Sequence, residues 1–139
     1  MKENNVYYMQ KAYKLALIAG LNNSIPVGCV CTDKNDIESV AYNIKNRNSD
    51  GKHAEMLCVD KLSYNKKISK ISLFTTLIPC PMCSGYIYMK NIQEIYIGTY
   101  SNNELYNAVF DLLLNKKYKS AYLQNKCSHI LSSFFAKMR

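Results

Sequence analysis

The chain has no uninterrupted apolar run approaching the ~20 residues that a membrane-spanning helix needs, so no membrane segment is expected. It also lacks an internal repeat, a Pro-, Gly- or Ser-rich linker and a low-complexity tract, which sets aside a solenoid, a tethered pair of domains and a disordered tail. The opening residues Met1-Lys2-Glu3-Asn4-Asn5 are polar where a secretory signal would be apolar. Six cysteines in that setting are expected to remain thiols in a reduced, cytoplasmic protein, without disulfides. Acidic residues are scarce, 10 against 18 Lys and Arg, and the resulting net charge of +8 suits an anionic partner.

What is present is an ordinary globular content: 139 residues with 48% apolar side chains, enough for one packed core and one domain over 1–139. Val6, Met9, Tyr13, Leu17 and Gly20 recur at helical spacing and predict a first helix over 5–21. Two apolar runs, 27–32 and 37–42, flank Asp33-Lys34-Asn35-Asp36 and predict an antiparallel hairpin. Further on, the pattern predicts a helix from about 54 to 65, a strand over 71–77, a helix over 81–90 and a strand over 92–98. A helix over 102–115, a short strand over 120–123 and a last helix over 126–137 complete it. Strands alternating with helices imply a three-layer α/β/α sandwich around a central five-stranded mixed sheet.

The informative residues are His53-Ala54-Glu55 and Pro79-Cys80-Pro81-Met82-Cys83, with Cys80 following His53 by 27 positions. One imidazole and two thiolates are donors that tetrahedral Zn²⁺ takes, and three ligands leave a fourth position for water. Glu55, beside the ligands, then has the task of moving a proton off that water. Pro81 in the first turn of a helix places Cys80 and Cys83 on the same side of its N-terminus. There the helix dipole favours thiolate. His53 and Glu55 would diverge on a regular helix, so His53 belongs just before a helix and Glu55 in its first turn. Two other readings of the same residues stand beside this one: a thioredoxin-like redox pair at Cys80 and Cys83, and a closed structural zinc site completed by Cys29, Cys31, Cys58, Cys127 or His129.

The joint His-x-Glu and Pro-Cys-x-x-Cys pattern resembles the zinc-dependent cytidine/deoxycytidylate deaminase superfamily. Within it the chain looks most like the tRNA-specific adenosine deaminases that make inosine at the anticodon wobble position. The resemblance runs from Ile25-Pro26-Val27-Gly28-Cys29-Val30 through Asn43, the zinc motifs and Ser84-Gly85-Tyr86-Ile87 to Phe134-Phe135-Ala136-Lys137-Met138-Arg139. It departs from the family at Ile78, where a Glu is usual before Pro-Cys, and at Gly98-Thr99-Tyr100-Ser101, where an Asp is usual after the Gly; a nearby Lys-x-Gly is also missing. These departures fall on the part that the family uses to shape the nucleotide pocket, not on the ligands.

The resemblance implies a cytidine deaminase-like fold, one Zn²⁺ per subunit on His53, Cys80 and Cys83, and Glu55 as proton carrier. It further implies Asn43 as a base contact and Ile25 with Pro26 as an apolar wall against a flipped base. The backbone N–H of Ala54, at a helix start, is a candidate donor to the base. From Leu112 to Arg139 there are six Lys or Arg and no acid, a stretch that could follow phosphates through residues such as Lys137 and Arg139. Tyr118, Tyr122, Phe134 and Phe135 could stack on unpaired bases or pack in the core, the latter being the expectation for one of the two phenylalanines. Cys29, Cys31, Cys58 and Cys127 read as small buried apolar residues, and Met82 and Met89 as core filler. The expected partner is a tRNA anticodon stem-loop, and the expected assembly a homodimer, with a heterodimer containing a related subunit as the alternative. Two other functions remain open: a deaminase of a free base or nucleoside such as cytosine or guanine, and a non-enzymatic zinc module that binds RNA.

Overall fold

A computed structural model describes residues 2–45, 52–62 and 70–138. The chain runs α1 (Lys2–Leu21), β1 (Gly28–Asp33), β2 (Asp36–Tyr42), α2 (Ala54–Asp60), β3 (Ile71–Leu77), α3 (Pro81–Tyr88), β4 (Glu94–Thr99), α4 (Glu104–Leu114), β5 (Tyr118–Ala121) and α5 (Gln124–Lys137). The five strands form one mixed sheet in the order β2-β1-β3-β4-β5. β1 pairs antiparallel with β2 and β3, while β3–β4 and β4–β5 are parallel. The α/β/α architecture and mixed five-stranded sheet expected from the sequence are both present.

Most element boundaries lie within two residues of those the pattern predicts. α2 is shorter than expected: it ends at Asp60 with Lys61 as its C-cap, and positions 63–65 of its expected length lie outside the described residues. The hairpin closes with Lys34 and Asn35 both at positive φ (49° and 74°) and with Asp33 opposite Asp36, the two-residue turn whose twist matches paired strands.

The face of α1 is not the one the spacing suggests. Tyr8, Met9, Ala12, Ala16 and Ala19 are buried, whereas Leu17 is 41% exposed. Close approach decides the matter: a Cβ on Gly28 would lie 2.1 Å from the carbonyl oxygen of Ala12 and 2.7 Å from the nitrogen of Ala16. Where the helix nearly touches the sheet backbone at Gly28, the inner positions are held by Ala12 and Ala16, with Leu15 half-buried beside them. On this side of the sheet Tyr8, Met9, Ala12, Val30, Phe74 and Tyr96 form one cluster, with Phe74 and Tyr96 stacked at 4.6 Å. On the other side a larger cluster joins β1, β3 and β4 to α2, α3 and α4 through Cys31, Cys58, Leu73, Ile87, Ile95, Phe110 and Leu114. Met82 and Met89 are not core filler: both point outward from α3, 58% and 79% exposed.

Candidate active site

Two helix starts meet over the ends of the central strands. The backbone at His53 is extended (φ −77°, ψ 140°), so this residue precedes the helix and Glu55 falls in the first turn of α2. Cys80 has the same role for α3 (φ −65°, ψ 168°), with Pro81 at the first helical position, where a missing N–H costs nothing. Nδ1 of His53 lies 3.5 Å from Sγ of Cys80 and 3.3 Å from Sγ of Cys83. All three ligand atoms lie within 4.8 Å of one another, and among the described residues no other His, Cys, Asp or Glu group gathers in this way. None of the candidate fourth ligands Cys29, Cys31, Cys58, Cys127 and His129 belongs to this group; Cys58 sits 3.4 Å from Cys31 in the core, and His129 is near Ser133.

The electrostatics of the two thiols suit a cation. A hydrogen bond from the Cys83 side chain, more than any other cause, holds Cys80 down to about 5; burial opposes this, and the Cys83 N–H and His53 assist it. Cys83 is pushed well up, first by that same hydrogen bond and then by burial and the nearby charge of Glu55. Cys80 is thus the readier of the two to lose its proton, and a metal held by a nitrogen and two sulfurs would take the place of the thiol protons. The donor set fits Zn²⁺, and His53, Cys80 and Cys83 are the residues that would hold it.

Glu55 is 4% exposed. Burial raises its carboxyl above the usual range; its own backbone N–H, His53 and the Thr75 hydroxyl pull it down, and the Cys80 charge pushes it up. Thr75 Oγ1 donates to Glu55 Oε1 at 3.2 Å. A buried acid with a raised pKa beside three metal-type donors is the arrangement expected of a proton carrier.

Asn43 follows β2 and is tied to Val27 by its backbone N–H at 3.1 Å. Its side-chain Oδ1 accepts from the N–H of Ala54 at 2.7 Å. That N–H is therefore taken by Asn43, not left for a base as the sequence suggests, because a fixed carboxamide is within reach of the helix start. The amide NH₂ of Asn43 remains as a donor.

Beside His53 lies a hollow of about 330 Å³ whose lining includes Ile25, Asn43, His53, Phe134 and Phe135, with Lys45 and Lys52 at its edge. A second hollow, of about 450 Å³, adjoins it: Leu77, Thr99, Ser101, Ser128 and Ser132 line it, and Phe135 borders both. Ile25, 42% exposed, lines the first hollow; Pro26 is buried, packs toward Gly20 and does not line it. Neither phenylalanine belongs to the buried core, and their rings meet edge to face at 5.5 Å. Tyr118 and Tyr122 do pack against the core clusters. Lys137 is exposed in the last turn of α5, outside both linings, and Arg139 lies outside the described residues. Sequence reasoning missed Lys45 and Lys52. An isolated antiparallel bridge between Ile44 and Lys52 brings the two lysines to one edge, and nothing in their spacing announces that pairing.

Fold and site together define a zinc-type deaminase domain. A family model for the cytidine and deoxycytidylate deaminase zinc-binding region matches residues 2–99, and the chain belongs to that family. A tRNA-specific adenosine deaminase of Buchnera aphidicola subsp. Schizaphis graminum is 31% identical over 150 residues, covering 100% of this chain and 99% of that protein. One from Bacillus subtilis is 27% identical, covering 95% and 89%. The resemblance drawn from the motifs is thus borne out over the whole chain. Among solved structures, a wobble-position A-to-I tRNA deaminase superposes with a TM-score of 0.73 at 20% identity, over 90% of this chain and 99% of that one. A diaminohydroxyphosphoribosylaminopyrimidine deaminase/reductase of Thermotoga maritima superposes with a TM-score of 0.80 at 20% identity, over 99% of this chain and 42% of that one. These structures share the fold. No helix among the described residues is long and apolar enough to cross a membrane.

Proposed function

We propose that this chain, acting as one domain over residues 1–139, is a tRNA adenosine deaminase that converts adenosine to inosine at the wobble position of an anticodon. The observation that carries the reading is the pairing of the His53, Cys80 and Cys83 donor set with a buried carboxylate, beside a hollow edged by lysines and aromatic rings. Such a hollow falls within the usual range for small-molecule sites, about 300–1,000 Å³. The full-length relatives named above, which are tRNA-specific adenosine deaminases, support the choice of substrate.

When bound at His53, Cys80 and Cys83, zinc supplies a water whose pKa falls to about 7. Glu55 takes a proton from water and delivers it to the purine ring nitrogen as the water oxygen adds at C6. It then carries the proton of the added hydroxyl to the exocyclic amine, the amidine C–N bond breaks, ammonia leaves and inosine remains. The Asn43 amide donates to the base edge, Ile25 walls one side, and Phe134 and Phe135 offer rings for stacking. Lys45, Lys52, Lys137 and Arg139 meet phosphates. The reading includes a cytoplasmic location and one zinc per subunit.

We further propose a homodimer, supported by Met82, Tyr88 and Met89 on α3 and Leu105 and Leu112 on α4, all more than half exposed on neighbouring helices. Light scattering measures the assembly directly.

The deciding experiment is incubation of purified protein with an anticodon stem-loop carrying a wobble adenosine and, separately, with cytosine, guanine and adenosine. Inosine in the RNA alone is expected. Conversion of a free base without conversion in RNA moves the assignment to a free-base deaminase.

A further inference from the structure

The central strand β3 carries a residue that its position does not call for. Ile71, Leu73 and Leu77 alternate onto the face that packs against α2 and α3, where they join the larger core cluster. Thr75 stands in the same row, 0% exposed, and puts a hydroxyl where its neighbours put methyl groups. Valine has nearly the same shape and an equal preference for strands, so sheet formation does not require the hydroxyl. A buried hydroxyl on an apolar face costs free energy unless it is hydrogen-bonded. This one is bonded: Oγ1 lies 3.2 Å from Oε1 of Glu55 and 3.0 Å from the carbonyl oxygen of Leu77. It has one proton to give to those two acceptors.

We infer that Thr75 is a positioning residue for the reaction proposed above: it reaches up from the sheet, fixes Oε1 of Glu55 and so leaves Oε2 for proton traffic with the substrate. The inference rests on that reading of Glu55. Geometry supports it from two sides. Glu55 is nearly sealed from bulk solvent, so protein donors such as the Thr75 hydroxyl bear on the orientation of its carboxylate. Its anchor is also rigid, since Thr75 lies on the middle strand of the sheet, in register with Cys29 on one side and Ile97 on the other. Cys29 reinforces the arrangement. It stands opposite Thr75 in the strand register, and burial, followed by the charge of Glu55, raises its thiol well above the ordinary value.

Thr75→Val and Thr75→Ser test this in the full chain with zinc bound. With the anticodon stem-loop as substrate, the valine variant is expected to lose about 10–100-fold in kcat, the scale of a misplaced reacting group, with KM and zinc content unchanged. The serine variant is expected to recover to within a few-fold of the parent. A valine variant with parental kcat, a loss confined to KM, or a folded serine variant no better than valine overturns the inference. A crystal structure of the valine variant supplies a readout independent of activity: the Glu55 carboxylate rotates away if Thr75 holds it, and an unmoved carboxylate also overturns the inference. A parent protein with no deaminase activity on any probe removes the proposed function instead, and the crystal structure still decides whether Thr75 orients Glu55.

Discussion

Asn43 caps a helix eleven residues ahead of it: its Oδ1 accepts the N–H of Ala54, the first residue of α2, at 2.7 Å. His53 occupies the N-cap position itself and makes no side-chain capping hydrogen bond. A carboxamide from the end of β2 thus does the capping, and the imidazole is released to face Cys80 and Cys83.

Replacing Asn43 with Ala leaves the buried Ala54 N–H without its acceptor, a loss of about 1–3 kcal/mol. The expected result is a lower thermal midpoint together with weaker zinc binding, because the start of α2 positions His53. Asn43→Asp retains an acceptor and should keep most of the stability. Thermal denaturation and a competitive zinc titration measure the two effects.

Glu55→Ala is expected to give a folded, zinc-loaded protein with activity reduced by about 10³-fold or more, within or above the usual contribution of general acid–base catalysis. Metal analysis alongside single-turnover kinetics checks it. Substantial residual turnover would falsify the role given to this carboxylate.

Chelation of zinc should lower the thermal midpoint, and Cys80→Ser or His53→Ala should abolish stoichiometric binding. In the metal-free protein Cys80, held near 5, should be the thiol that alkylates first at neutral pH. Mass spectrometry after limited alkylation identifies it; modification of Cys83 before Cys80 contradicts the assignment.

Glu94 provides a pH test of the fold far from the site. Burial raises its carboxyl, but hydrogen bonds from Lys70 and Tyr96 outweigh this, and its pKa is lowered overall. A carboxyl depressed in the folded state adds stability above its unfolded pKa and loses that stability as pH falls through the folded value. Glu94→Gln should therefore destabilise the protein at pH 7 and match the parent near pH 2. Urea midpoints at the two values decide; an equal gap at both removes the linkage.

Gly28→Ala should be among the most damaging single substitutions, since the new Cβ lies 2.1 Å from a helix carbonyl oxygen. A loss of several kcal/mol or failure to fold is expected, read by circular dichroism.

Much of this was legible in the residues. The ligand set, the two helix starts and the hairpin turn follow from local chemistry: Pro after Cys80, an imidazole two before a carboxylate, and Lys34-Asn35 between apolar runs. What was not legible depended on distance between segments. The inner face of α1 is set by how closely it approaches Gly28, so alanines won over Leu17. Nothing in the spacing of Asn43 and Ala54 announces their hydrogen bond, which gave the Ala54 N–H a different partner. Pro26 turned inward for the same kind of reason, and Met82 and Met89 point outward on a helix whose apolar residues ring it on all sides. The described part of the chain does not bear on Arg139.

The ring of Phe135 is a party wall between two chambers. Shortening it enlarges both at once and enlarging it narrows both, so the fit of one guest cannot be retuned at this position without disturbing the fit of whatever sits next door. Adjustment of either chamber alone must come from residues that line only one of them, such as Ile25 and Lys45 in one and Thr99 and Ser101 in the other.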